Sequence, residues 1–166
     1  MVGPGNSYGR NNYNRGGSYS GQQHTQSAPQ PAPLIEKKKL PENYVDSAEN
    51  VMRGLQYPDR NGKMVFGITT SQIRKILSLI TDILNAENLS RDEKLSDESY
   101  QMLQMARVRI AYDSGRDHTG KVKEFVEKSG LLSYIKGVEK DRAEFIRFAR
   151  YVEALVAWHR YLGGKD

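Results

Sequence analysis

Residues 68–84 read Ile68-Thr69-Thr70-Ser71-Gln72-Ile73-Arg74-Lys75-Ile76-Leu77-Ser78-Leu79-Ile80-Thr81-Asp82-Ile83-Leu84, and this run decides the fold class. Thr69 and Gln72 have the spacing of a capping box, in which the hydroxyl accepts from the Gln72 N–H and the Gln72 side chain accepts from the Thr69 N–H. Ile68 and Ile73 flank the box as a hydrophobic staple. Behind it, Ile73, Ile76, Leu77, Ile80, Ile83 and Leu84 recur at three and four, which is one apolar stripe on a helix. Arg74, Lys75, Ser78 and Asp82 fall outside that stripe.

The helical reading extends in both directions. All six prolines lie at or before Pro58, so no proline interrupts a helix beyond it. Downstream, Ser96 caps a helix with Asp97 and Glu98 in its first turn, where the helix dipole favours acids. Its inner face is Tyr100, Leu103, Ala106 and Ile110, and Gly115 is expected to stop it after Ser114. Asp117 or Thr119 caps the next helix, which buries Val122, Phe125 and Val126 and stops at Gly130. A short turn of helix around Leu131 to Ile135 ends at Gly137. The last helix, from about Glu139 to Leu162, carries Phe145, Phe148, Ala149, Val152, Leu155, Val156 and Leu162 as a broad stripe that includes His159, and Gly163-Gly164 halts it. Upstream, a leading helix over about Glu42 to Arg53 has Tyr44, Val45, Ala48, Val51 and Met52 on one face. Gln56 to Gly67 reads as a loop around Pro58 and Asn61-Gly62. With no alternating strand pattern after Pro58, the expected fold is all-α, a compact five- or six-helix bundle over residues 41–166.

Residues 1–40 are rich in Gly, Asn, Ser, Gln and Pro. Their apolar area is too small to offset the entropy of ordering, so they are expected to form a disordered tail. Tyr8, Tyr13 and Tyr19 among Arg10 and Arg15 suit weak contacts with single-stranded RNA, although such composition more often marks a linker. The formal net charge is +5, and of 25 basic and 20 acidic residues, five basic and one acidic lie in residues 1–40. The remainder is therefore close to neutral, and a nucleic-acid reading of it must rest on local clustering.

One such cluster is Arg107, Arg109, Arg116, Lys121 and Lys123, set against Asp113 and Asp117 and punctuated by Gly115 and Gly120. These bases flank a turn between two helices, and the second helix N-terminus is expected to add its own positive end. Phosphate is the ligand this suits. Arg matches it by its planar fork and Lys by its point charge, and neither reads base sequence that way. The plain structural alternative is a set of solvated charges paired with nearby acids, each pair worth about 0–1 kcal/mol. By contrast, Asp82, Glu87, Asp92, Glu93, Asp97 and Glu98 outnumber Arg91 and Lys94. The domain thus reads as electrically two-sided, compatible with identical subunits stacked along a polymer.

Enzymatic chemistry has little support in these residues. There are no cysteines, which removes thiolate nucleophiles, thiolate zinc sites and disulfides and points to a reducing cytoplasm. No nucleophile elbow, GxxxxGK loop or HExxH pair occurs. Asp113, Asp117 and His118 could approach a divalent cation, but capping and turn formation explain both aspartates. No catalytic residue, metal or cofactor is expected. Nothing near the start resembles a signal peptide, and no run reaches the roughly 18–20 apolar residues of a spanning helix, so a cytoplasmic protein without a membrane partner is expected.

Three ordered segments carry a resemblance. They are Thr69-Thr70-Ser71-Gln72-Ile73-Arg74-Lys75, Ala111-Tyr112-Asp113-Ser114-Gly115-Arg116, and Tyr151-Val152-Glu153-Ala154-Leu155-Val156-Ala157-Trp158-His159-Arg160-Tyr161-Leu162-Gly163-Gly164-Lys165-Asp166. Over roughly residues 42–166 the chain resembles the small subunit of type III-A CRISPR effector complexes, the Csm small subunit. The resemblance implies an all-α, non-catalytic scaffold of an antiviral RNA-guided complex. Several copies would stack beside the backbone ribonuclease subunits, with a large polymerase-like subunit in the same assembly, and help hold guide RNA and target RNA by their sugar-phosphate backbone. It makes Arg74, Lys75 and Arg116 the leading phosphate contacts, with Arg109, Arg107, Lys121, Lys123 and Lys63 added by charge and position. The alternative is a purely structural helical interaction module with no RNA contact. The resemblance does not extend to the first forty residues.

Overall fold

The computed structural model describes residues 1–3, 5 and 34–166, so the expected disorder of the tail and its Tyr8, Tyr13, Tyr19, Arg10 and Arg15 lie outside the described residues. The folded unit runs from Leu34 to Asp166. It holds six helices: α1 (Tyr44–Gly54), α2 (Thr70–Glu87), α3 (Asp97–Arg116), α4 (Lys121–Ser129), α5 (Leu131–Val138) and α6 (Arg142–Tyr161). Between α1 and α2 lie two short antiparallel strands, β1 (Gln56–Pro58) and β2 (Met64–Phe66), paired Gln56 to Phe66, Tyr57 to Val65 and Pro58 to Met64. The stretch expected as a loop is thus a hairpin. Its turn is held by the Asp59 carboxylate, which accepts from the Asn61 and Lys63 N–H groups at 2.8 and 2.9 Å, with Gly62 at φ 77°.

Helix α6 is the centre of the bundle and packs against α1, α2 and α5, while α3 packs against α2, α4 and α5. Its stripe behaves as read: Phe145, Phe148, Ala149, Val152 and Leu155 are all buried. The α2 capping box forms in full, with Gln72 N–H donating to Thr69 Oγ1 at 3.2 Å and Thr69 N–H to Gln72 Oε1 at 2.9 Å. On α1, Ala48 and Met52 are buried but Val45 is exposed.

Two glycines expected to end helices do not. Gly115 sits inside α3, which continues to Arg116, and the chain leaves at Asp117 in an extended conformation. Gly137 is likewise internal to α5, where a Cβ would collide with the Lys38 carbonyl. Its missing side chain lets residues 34–40 cross α5 at close range. There the Lys38 N–H donates to Ser133 O at 3.1 Å, Lys136 Nζ donates to Ile35 O at 2.6 Å, and Leu40 is buried. The folded unit therefore begins ahead of the boundary expected at residue 41. Helix α5 ends instead at Glu139, the one described non-glycine residue at positive φ, 54°, a conformation that side chains rarely adopt.

Each end of α6 is tied by a buried polar group. At the start, Arg142 donates to the Glu87 carbonyl at 2.7 Å, and its Nε lies 3.6 Å from the Glu87 carboxylate. That carboxylate also accepts from the Ser96 hydroxyl at 3.0 Å. Burial alone would raise the Glu87 carboxyl, yet donors from Ser99 and Ser96 and the Arg142 charge hold it below the usual carboxylate range. Glu87 is thus an internal strut joining α2, α3 and α6, not part of a solvated acidic edge. Asp97 is also engaged, by Lys140. The acidic side inferred from the sequence is smaller than the raw count implied.

At the far end, His159 is fully buried. Nε2 lies 3.0 Å from Ile68 O and Nδ1 3.2 Å from Thr70 Oγ1. A carbonyl only accepts, so Nε2 carries the proton and Nδ1 accepts from the Thr70 hydroxyl. Gly164 packs on the imidazole with no room for a Cβ. Its N–H donates to His159 O at 2.8 Å, and Lys165 O accepts from Thr70 N–H at 2.9 Å. The Gly-Gly ending therefore does more than halt a helix: it folds back to clasp the start of α2.

Two outcomes follow. Gly137→Ala lowers folding stability by about 1–3 kcal/mol and removes hydrogen-exchange protection at the Lys38 amide. An unchanged urea midpoint with retained protection would show that residues 34–40 do not seat against α5. Burial holds the His159 pKa below its ordinary value of 6.5, so the folded state binds fewer protons here than the unfolded chain. Its contribution is complete above pH 6.5 and is lost as pH falls from there toward the depressed folded pKa. The urea midpoint of the chain should fall as pH drops below 6.5, and His159→Gln should flatten that slope.

Candidate nucleic-acid interface

Because α3 does not stop at Gly115, Arg109 and Arg116 stand seven residues apart on one continuous helix, and two turns bring them to the same face. Across from them, Lys75 projects from α2. These three cations line a groove of about 640 Å³ between α2, α3 and the start of α4, together with Gln72, Ser78, Leu79, Asp113 and Asp117. Lys75 and Arg116 form no salt bridge among the described residues, whereas Arg109 lies 3.9 Å from Asp113 on its own helix. That Arg109 pair is solvent-exposed, so it restrains the guanidinium only weakly.

Asp117 carries a negative charge into the groove but is committed to local structure. Its carboxylate accepts from Val122 N–H at 2.8 Å and from Thr119 N–H at 3.2 Å, while Thr119 Oγ1 accepts from Lys121 N–H at 3.3 Å. Those donors, the Val122 N–H foremost, hold the Asp117 carboxyl below the usual range. The N-cap residue of α4 is Gly120, at φ 69°, and Asp117 and Thr119 reach its first amides from ahead of that position. The consequence corrects the expected phosphate site at that terminus: the first amides of α4 already have an anion of their own. Among the described residues, no group of three or more His, Asp or Glu could hold a metal ion.

The other cations expected at the site stand apart. Arg74 is exposed but turned about 100° from Lys75 around α2, and it does not line the groove. Arg107 is two residues from Arg109, a spacing that never shares a helix face. Lys63 sits in the hairpin turn. Lys123 pairs with Glu127 at 3.8 Å. Lys121 is engaged three ways: its ammonium lies 3.0 Å from Glu124 and 5.1 Å from the centre of the Tyr57 ring, and its methylenes cover Gly67. The Glu124 carboxylate raises the Lys121 pKa. This lysine fastens the hairpin to α4.

The sequence reading missed Gln72 and Ser78 as lining groups, and it missed the outward side of α3. There Met105, Val108 and Tyr112 are exposed, and the groove continues along α3 into a shallow apolar depression that shares Leu79 and Arg109 with it. The signal was present: these residues recur at three and four, on the side opposite Leu103, Ala106 and Ile110.

Comparison with known proteins identifies the family. The family model described as Csm2 Type III-A matches residues 48–165. The chain is 40% identical over 126 residues to the CRISPR system Cms protein Csm2 of Streptococcus thermophilus, covering 75% of this chain and 95% of that protein. It is 38% identical over 127 residues to the protein of the same name from Mycobacterium tuberculosis, covering 76% and 97%. A third relative of that name, from Enterococcus italicus, is 33% identical over 97 residues, covering 57% of this chain and 68% of its own length. With the family model matched across nearly all of its folded unit and two of these relatives spanned almost end to end, the chain belongs to the type III-A Csm2 family, the Csm small subunits.

Proposed function

We propose that this chain is a non-catalytic RNA-binding scaffold subunit of a type III-A CRISPR RNA-guided effector complex, holding guide and target RNA through their backbone phosphates. The observation that carries this reading is the convergence of Lys75, Arg109 and Arg116 on one solvent-facing groove, two of them without a salt-bridge partner among the described residues. Where a guide reads its target by base pairing, a supporting subunit needs only charge and shape, and phosphate contacts supply both without sequence preference. The partners in this reading are guide RNA, target RNA, the backbone ribonuclease subunit, the large polymerase-like subunit and further copies of the chain. No described helix is long and apolar enough to cross a membrane. Many weak contacts of this kind act together once copies are linked along one strand, so affinity rises with assembly.

A purely structural interaction module is the second reading, and the exposed apolar side of α3 favours it. Binding of guide–target duplex by the reconstituted complex, titrated at several salt concentrations, separates the two. Lys75→Ala and Arg116→Ala should each weaken binding equally for unrelated sequences and reduce the salt slope by about one. Lys121→Ala and Lys123→Ala should leave both nearly unchanged, since those charges already serve Glu124 and Glu127. Equal affinity and slope for all four variants would remove the groove from RNA binding and leave the interaction module standing.

A further inference from the structure

Helix α3 has two apolar faces, and the core uses only one. At 100° per residue, Met105, Val108 and Tyr112 share an outward arc of about 100° with Arg109 and Arg116, and they are 65%, 60% and 60% exposed. An exposed helix face ordinarily carries polar side chains, and a contiguous apolar strip rimmed by charge marks a binding surface. The placement of Tyr112 narrows what binds. It stands three residues after Arg109 and four before Arg116, the two separations that make helix neighbours. Its two neighbours at those separations, Arg109 and Arg116, both line the groove occupied by Lys75.

An aromatic face between two cations matches one nucleotide chemistry closely. A base stacks on the ring whatever its identity, and the flanking phosphates reach the cations. A duplex is a poor partner for this strip. Its base faces are covered by their neighbours, and it presents sugar, phosphate and base edges that give Met105 and Val108 little apolar area to bury against. Unpaired bases present that area. A protein helix could cover the strip as well, but it would have to bring acids to meet Lys75 and Arg116, which phosphates do by their nature.

We infer that this strip takes unpaired RNA nucleotides, their bases lying on Tyr112, Met105 and Val108 while their phosphates enter the groove of Lys75, Arg109 and Arg116. The inference rests on the phosphate role proposed above and adds a preference of the same site for single strands. The stack uses the ring and not the hydroxyl, so phenylalanine serves equally at position 112.

The test uses the full chain and fluorescence anisotropy at low salt. One ligand is a labelled oligouridylate of about 12 nucleotides, within the site size of stacking surfaces, and the other is a blunt RNA duplex of equal length. Tyr112→Ala should weaken single-strand binding by about 5- to 100-fold and leave duplex affinity and the salt slope unchanged. Tyr112→Phe should bind as the parent does, and Lys75→Ala with Arg116→Ala should weaken both ligands. Exposure of Tyr112 makes these substitutions tolerable to the fold, and an unchanged thermal midpoint checks that. If Tyr112→Ala binds oligouridylate as the parent does while the cation variants weaken, the stacking site is wrong and the phosphate reading survives. If the cation variants are silent too, both are wrong. If Met105→Glu converts a self-associated chain to monomer in sedimentation without changing RNA affinity, the strip belongs to a protein partner and the inference is overturned.

Discussion

A buried, neutral imidazole joins two parts of this chain that are distant in sequence. His159, near the end of α6, holds the Ile68 carbonyl with one nitrogen and the Thr70 hydroxyl with the other, and Gly164 closes over its ring. The start of α2 is therefore positioned by α6 and by the last residues of the chain. At the opposite end, Glu87 and Arg142 repeat the arrangement with an ion pair, fastening the end of α2 to the start of α6. A helix tied at both ends to its neighbour has little freedom to slide or turn. That restraint determines which residues of α2 face α3, and so which of its two adjacent cations enters the groove. Lys75 does and Arg74 does not.

Charge in this domain sorts by whether a side chain already has a partner. Lys121 and Lys123 carry the same formal charge as Lys75, but glutamates of the same helix engage them. Asp117 looks repulsive to phosphate, yet its oxygens are committed to the amides that open α4. Of the three cations that line the groove, Arg109 has an exposed partner in Asp113, and Lys75 and Arg116 have no salt bridge among the described residues. The field the groove offers a polyanion is therefore set mainly by those two side chains.

The fold was legible because local signals agreed with one another. The Thr69–Gln72 box, the cap at Ser96, the Asp117 bonds to the amides that open α4, the Gly130 turn and the apolar stripes of α2, α4 and α6 all belong to interactions within about five residues. The two glycine errors differ in cause. Gly115 and Gly137 both have the local appearance of helix stops, but a Cβ at Gly115 would meet nothing within 4 Å and its helix simply runs on, whereas Gly137 admits a close neighbour. That neighbour is the Lys38 backbone, far away in sequence. The short hairpin escaped notice for another reason: its strands have three residues each, too few to show a period. The site was legible only in part. Lys75, Arg109 and Arg116 were named among eight candidates, but nothing local separated them from Arg74, Arg107, Lys63, Lys121 and Lys123.

From residue order alone came the helix count, most of the inward faces, the absence of thiol chemistry, the basic character of the α3–α4 region and the family. Those properties depend on composition and on spacings shorter than a helix turn or two, which a linear reading measures directly. The tertiary structure alone decided the convergence of the groove, the engagement of Lys121 by Tyr57 and Glu124, the internal role of Glu87 and the exposure of the Met105–Tyr112 strip. Each of these is a relation between elements whose relative rotation is set by packing and by the buried polar ties, and a rotation of 100° about a helix axis, one residue's worth, exchanges a groove-lining cation for one outside it.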